Sequence, residues 1–302
     1  MWPDGTGESI VEPQAKLEIG IAGGYSATID PLGAQLWALR APDGRNLLWD
    51  GDPAFWTGRA PILYPIVGGL KDDVYRWQGR EWPMPRHGFA RRLPWRIVIH
   101  EPDRAVLRLV ADAATRAIYP FEFELDLQFE IGEAGLAMTA TVRNPGRGTM
   151  PFSLGFHPAL RWPFVPGEQR GDHVLRFERP EPVPVARLDA AGLIDRLEPS
   201  PVAGDTLALA DGLFADDALV FAGLASRAVS FGVPGRQWLR CTFPEFPDFG
   251  LWSKPGAGFL CIEPWLGHAD PSDFDGALDE KPGIMLLPPG GEWRGTMSIG
   301  LA

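Results

Sequence analysis

The chain has 302 residues and a net charge of −11, with 45% hydrophobic and 22% charged residues, proportions that suit a packed core and exclude long disordered or fibrous polymers. An acidic chain repels phosphate backbones and anionic lipid heads, which argues against nucleic-acid and polybasic membrane roles. Its 36 glycines and 31 prolines exceed a fifth of the residues, against a usual share of roughly 12%, and leave little room for long helices.

Strands are expected over 17–22, 25–30, 34–40, 96–100 and 105–111. The sharpest signal follows at 121–131: Phe121, Phe123, Leu125, Leu127, Phe129 and Ile131 take one parity, and Glu122, Glu124, Asp126, Gln128 and Glu130 the other. That period of two predicts a strand with one wet face. A second alternating run, Leu136 to Val142, comes after the turn-like Gly-Glu-Ala-Gly at 132–135, so the pair reads as an antiparallel hairpin. Further strands are expected at 174–178, 218–222, 228–232, 237–243, 258–263 and 295–301. Residues 186–197 have room for a turn or two of helix, and 52–57 for the start of a short one. Neither a linker nor a repeat divides the chain. The expected architecture is a single all-β domain over 1–302, a large antiparallel sandwich or barrel.

Two cysteines, Cys241 and Cys261, cannot build a disulfide framework, and CxxC metal spacing is absent. The first fourteen residues have neither a basic stretch nor an apolar one of the leader type. No apolar run approaches the roughly 20 residues of a membrane span. The cytoplasm is the expected compartment.

Three loop-like stretches mix Pro, Gly and aromatics with acid/base side chains: 58–70 with 84–92, 151–160, and 258–267. They carry His87 in Pro-Arg-His-Gly-Phe, His157 in Gly-Phe-His-Pro, and Glu263 at the end of Phe-Leu-Cys-Ile-Glu. Pro158 biases His157 toward extended backbone. Cys261 and Glu263 share a parity and are expected on one face. Taken one at a time, each reads first as a structural residue: a histidine anchoring a loop, a turn carboxylate, a buried inert thiol. Phosphate-loop, dinucleotide, nucleophile-elbow and zinc-helix motifs are all missing. His87, His157 and Glu263 have the right types for a His₂Glu metal site, but no local ligand pair anchors one, and no metal is expected.

Taken in order, NLLWDGDPAFWTGRAPILYPIVGGL, HGFAR, PFSLGFHPAL, FADDALVF, WSKP, FLCIEPWLG and KPGIMLLPPG, from about residue 46 to 290, resemble the aldose 1-epimerase (galactose mutarotase) family, and within it the bacterial LacX-like branch. The resemblance implies a galactose-mutarotase-like β-supersandwich with few short helices. It also implies an isomerase that exchanges sugar anomers without a cofactor, acting as a monomer or homodimer. By that likeness Glu263 is the general base, His157 the general acid and His87 a second site histidine; Arg59, Asp217 and Trp265 contact the sugar. Trp265, Tyr64 and Phe156 read equally as apolar platforms for the sugar ring and as core residues. Arg86, Arg91, Arg92 and Lys254 put positive charge near the site, as a 6-phosphate would require. A hexose-6-phosphate epimerase and a non-catalytic sugar-binding protein are the alternatives. A histidinium beside a carboxylate has its pKa raised, which would keep His157 protonated.

Overall fold

Antiparallel pairing dominates the computed structural model, which describes residues 14–302; residues 1–13 of the stretch assessed for a leader lie outside it. A nine-stranded sheet runs in the order Thr206–Ala208, Val174–Phe177, Ala228–Gly232, Trp238–Thr242, Glu292–Leu301, Gly135–Arg143, Glu124–Gly132, Arg104–Val110 and Arg96–His100. A second large sheet runs in the order Ile194–Glu198, Val185–Leu188, Leu219–Phe221, Asp248–Trp252, Phe259–Leu266, Leu154–Phe156 and Ile62–Leu63, with Ala159–Arg161 also on Phe259–Leu266. Aromatic contacts join the two: Phe177 of the first lies 5.7 Å from Phe221 and 6.1 Å from Phe249 of the second. Burial of such rings contributes most of the stabilisation. One hydrophobic cluster takes in residues from Leu17 to Ile299. The large antiparallel sandwich expected from strand alternation is therefore present.

The period-two segment folds as foreseen, with a refinement. All six apolar residues from Phe121 to Ile131 are buried, although the strand itself begins at Glu124. Its wet face is partly covered: Asp126 is also buried and accepts hydrogen bonds from Arg108 (2.5 and 2.7 Å) and Arg143 (2.8 Å). The hairpin turn is tighter than the sequence indicates, since Gly132 and Gly135 pair in the ladder and only two residues remain outside it.

The expected helical turns at 186–197 are replaced by two strands, Val185–Leu188 and Ile194–Glu198, paired with each other. Val185, Ala186 and Leu188 find a neighbouring sheet edge to bury against, and tertiary pairing overrides a weak local preference. Residues 52–57 make a single turn closed by Phe55 and Trp56 N–H groups on the Asp52 carbonyl. The only α-helix among the described residues is Ala113–Arg116. None of their helices is long and apolar enough to cross a membrane.

Candidate active site

The strand Phe259–Leu266 is the spine of the site. It is buried along its whole length, because neighbours flank both its edges, yet its parity still sorts the side chains. Cys261, Glu263 and Trp265 share one face. On one edge the register pairs Glu263 with Gly250 and Trp265 with Asp248. On the other edge, Gly155 faces Trp265 and Ala159 faces Cys261. These two short pairings keep the same register across the bend at His157–Pro158, so its continuation puts His157 opposite Glu263. The side chains meet, with His157 Nε2 3.2 Å from Glu263 Oε2. Gly155 and Gly250 have a second role: a Cβ on either would run into the Trp265 ring, so both glycines leave space for that indole.

His87 arrives from another part of the chain. It has φ +64, with Gly88 at φ +69, and the tight turn brings its ring against the segment around Gly68. The His87 N–H donates to the Gly68 carbonyl (2.9 Å), and the Gly68 N–H donates to His87 Nδ1 (3.0 Å). A nitrogen that accepts cannot carry the proton, so His87 keeps its proton on Nε2. Its ring centre stands 5.9 Å from that of His157.

These three residues line one cavity of about 270 Å³. Trp56, Trp252 and Trp265 supply its aromatic walls, while Arg86, Arg91 and Asp217 supply charge. Trp56 stacks on His157 at 5.0 Å and 30°; Trp252 meets Trp56 edge-on at 5.4 Å. Arg86 Nη2 lies 3.3 Å from Asp217 Oδ2. Arg91 donates to the Arg86 carbonyl (2.9 Å) and has no carboxylate partner among the described residues. Glu263 Oε2, His157 Nδ1, Trp265 Nε1 and Arg86 Nε are buried without a hydrogen-bond partner. Buried polar atoms of this kind normally have partners; here several converge on one cavity, as in a site built for a polar ligand.

Burial sets the protonation of the site. It pushes Glu263 well above the usual carboxylate range, with Arg86 opposing and Asp217 reinforcing the shift. Burial pushes His157 down to about 3, helped by Arg91 and Arg86. His87 is also held well below its ordinary value, by burial first and then by Arg91, His157 and Arg86. The expectation that a neighbouring carboxylate keeps His157 protonated is therefore corrected. Desolvation is the largest influence on each of the two, and it favours their neutral forms.

Not every expected residue reaches the cavity. Arg59 does not line it: its guanidinium sits 4.0 Å from the Trp37 ring centre and donates to the Trp37 carbonyl. Tyr64 is enclosed by Phe89, Phe123 and Phe152, and Phe156 packs on Phe246, so both are core residues. Arg92 is exposed, and Lys254 donates to the Phe55 carbonyl instead. Trp56 and Trp252 were not foreseen as site residues. Trp252 pairs with Cys261 in the adjacent strand, a signal legible only once that pairing is known.

The sequence profile of the aldose 1-epimerase family matches residues 15–300. The chain is 31% identical over 269 residues to the chromosomal LacX protein of Lactococcus lactis subsp. lactis, spanning 85% of this chain and 90% of that protein. Among solved structures it is similar to a galactose mutarotase related enzyme from Lactobacillus acidophilus, with a TM-score of 0.86, 28% identity, and 95% of this chain and 97% of that one covered. A galactose mutarotase-like protein from Lactobacillus casei aligns with a TM-score of 0.87 and 27% identity, covering 95% of this chain and 100% of that one.

Proposed function

This chain belongs to the aldose 1-epimerase family, and we propose that it interconverts the α and β anomers of an aldose, with Glu263 and His157 exchanging protons with the sugar. A cyclic aldose is a hemiacetal. Opening it requires that the C1 hydroxyl lose a proton while the ring oxygen gains one and the C1–O5 bond breaks. Rotation about C1–C2 exposes the other carbonyl face, and closure returns both protons. Glu263 takes the hydroxyl proton and His157 protonates the ring oxygen; in closure they exchange roles.

The observation that carries this reading is the 3.2 Å contact of His157 with Glu263 inside the cavity. The two reacting oxygens share one carbon, so their proton-exchange partners have to stand side by side. A separation by the width of a sugar ring is not needed. One proton shared by the pair is sufficient. In the unliganded cavity it rests on Glu263; sugar hydroxyls and the Arg86 guanidinium solvate the carboxylate once the ligand is bound, and the proton passes to His157. Such a pair titrates as a unit. His87, neutral with its proton on Nε2, offers a hydrogen bond to the sugar. Asp217 and Trp265 contribute a hydroxyl acceptor and an apolar face. Each acid/base group typically contributes about 10²–10⁴-fold, and no step calls for a metal or redox cofactor.

A phosphorylated aldose is a second reading, favoured by Arg91, a cavity-lining cation without a carboxylate partner among the described residues. The test is polarimetry on freshly dissolved α-glucose, α-galactose and a panel of aldose 6-phosphates. Acceleration above the spontaneous rate is expected for at least one. Binding of an aldose with no acceleration of any would leave a sugar-binding protein in place of an epimerase.

A further inference from the structure

We infer that a binding site for a borderline or soft divalent cation, of which zinc and cadmium are the types, lies beside this cavity, held by His157, Cys261 and Glu263. One ligand atom from each of these residues, an imidazole nitrogen, the Cys261 sulfur and a carboxylate oxygen, lies within 4.8 Å of the other two. In a tetrahedral zinc site the bonds measure about 2.0–2.3 Å, which puts neighbouring donors about 3.3–3.8 Å apart. The nitrogen and oxygen are already close to that spacing at 3.2 Å, and a sulfur at the 4.8 Å limit needs to close by about 1–1.5 Å.

A second observation points to a ligand here. Glu263 Oε2 is a buried carboxyl oxygen without a hydrogen-bond partner, although His157 Nε2 stands 3.2 Å away. A buried polar oxygen without a partner is costly, and a cation that displaces the carboxyl proton would satisfy it. The anomer exchange described above makes no use of Cys261, which lies directly along the strand from Glu263 and on the same face. Nitrogen, sulfur and oxygen donors together suit zinc, cadmium and cobalt, whereas magnesium and calcium prefer oxygen alone.

The Cys261 S–H bond breaks, its proton leaves to solvent, and a metal–thiolate bond forms. Glu263 also gives up to solvent the proton it carries in the unliganded cavity and coordinates as a carboxylate, while neutral His157 binds through a ring lone pair. Two anionic ligands neutralise the dication, which matters beside the Arg86 and Arg91 guanidiniums, since a complex with surplus positive charge would be repelled. The cation occupies the lone pairs that the epimerase reading assigns to proton exchange, so the functional consequence, reversible inhibition, rests on that reading; the binding does not.

Cobalt(II) chloride titrated into reduced full-length protein is the direct probe. The expected result is a near-ultraviolet thiolate-to-cobalt charge-transfer band, retained in Cys241→Ser, lost in Cys261→Ser, and abolished stoichiometrically by zinc. Cys261→Ala serves if the serine variant does not fold. Absence of the band in the wild type, or its persistence without Cys261, overturns the proposal. His157→Asn should weaken cobalt binding by tenfold or more. Zinc at saturation should bring anomerisation down to the spontaneous rate, with recovery on chelation. Zinc inhibition without the band would locate the inhibitory ion elsewhere and overturn the site. A clear band in a protein that accelerates no aldose would leave the metal site standing and remove the epimerase reading.

Discussion

Replacing Glu263 with glutamine separates chemistry from folding. The side chain is 2% exposed and its Oε2 has no hydrogen-bond partner, so glutamine, of equal size, resembles the protonated carboxyl that burial favours. It cannot accept a proton near neutral pH. The anomerisation rate is expected to fall by about 10²-fold or more, equivalent to about 2.7 kcal/mol of barrier. Stability should move the other way. Because burial raises the folded pKa of Glu263, the folded state binds more protons than the unfolded one above the unfolded carboxylate value. Stability then declines as pH rises through that window. Glutamine carries no such penalty, so Glu263→Gln should melt at or above the wild-type temperature at pH 7 and match it near pH 4. The assay is the initial optical-rotation change of a fresh α-aldose, with the spontaneous rate subtracted and melting followed in parallel. A folded variant that keeps its rate to within about threefold on the true substrate refutes Glu263 as the base, since even a single acid/base group contributes about 10²-fold.

His157 has the opposite linkage: burial takes its pKa from 6.5 to about 3, so the unfolded state binds the extra proton between those values and stability falls as pH drops from 6.5 toward 3. His157→Asn should flatten that acid limb in chemical-denaturation curves, and an unchanged limb would show that His157 is not held neutral. Gly250→Ala puts a methyl group into the Trp265 ring; with the indole pushed into the cavity, sugar affinity measured by calorimetry should fall at least tenfold, and unaltered affinity would deny Trp265 its place against the ligand. Arg91→Met should raise KM for an aldose 6-phosphate while leaving that for the free sugar within a few-fold; equal effects on both would dismiss the phosphate reading. Asp126→Ala removes the acceptor shared by Arg108 and Arg143 and should cost about 2 kcal/mol in urea unfolding, without changing kcat.

Local rules determined a good deal. Period-two alternation located the central hairpin, because a strand half-buried against a core must segregate its side chains by parity. Proline and glycine density excluded long helices. Parity also put Cys261 and Glu263 on one face, and the ordered motifs from residue 46 to 290 pointed to the family. Where local signals were weak they misled: residues 186–197 looked free to turn into helix but pair as strands, since a vacant sheet edge decides the outcome there.

What only the tertiary structure decided is which distant residues meet and how wet they are. His157 lies opposite Glu263 because two short ladders share one register across the Pro158 bend, a relation that no local pattern encodes. The resemblance put Arg59 against the sugar and Arg86 only among the charges near the site; the face of Trp37 retains the first, and the cavity receives the second beside Asp217. The charge state of the pair was likewise out of reach. Sequence shows that a histidine and a carboxylate are present, and their attraction predicts an ion pair. Whether that attraction prevails depends on how much water the surrounding sheets remove, and here the enclosure of both side chains makes desolvation the larger effect.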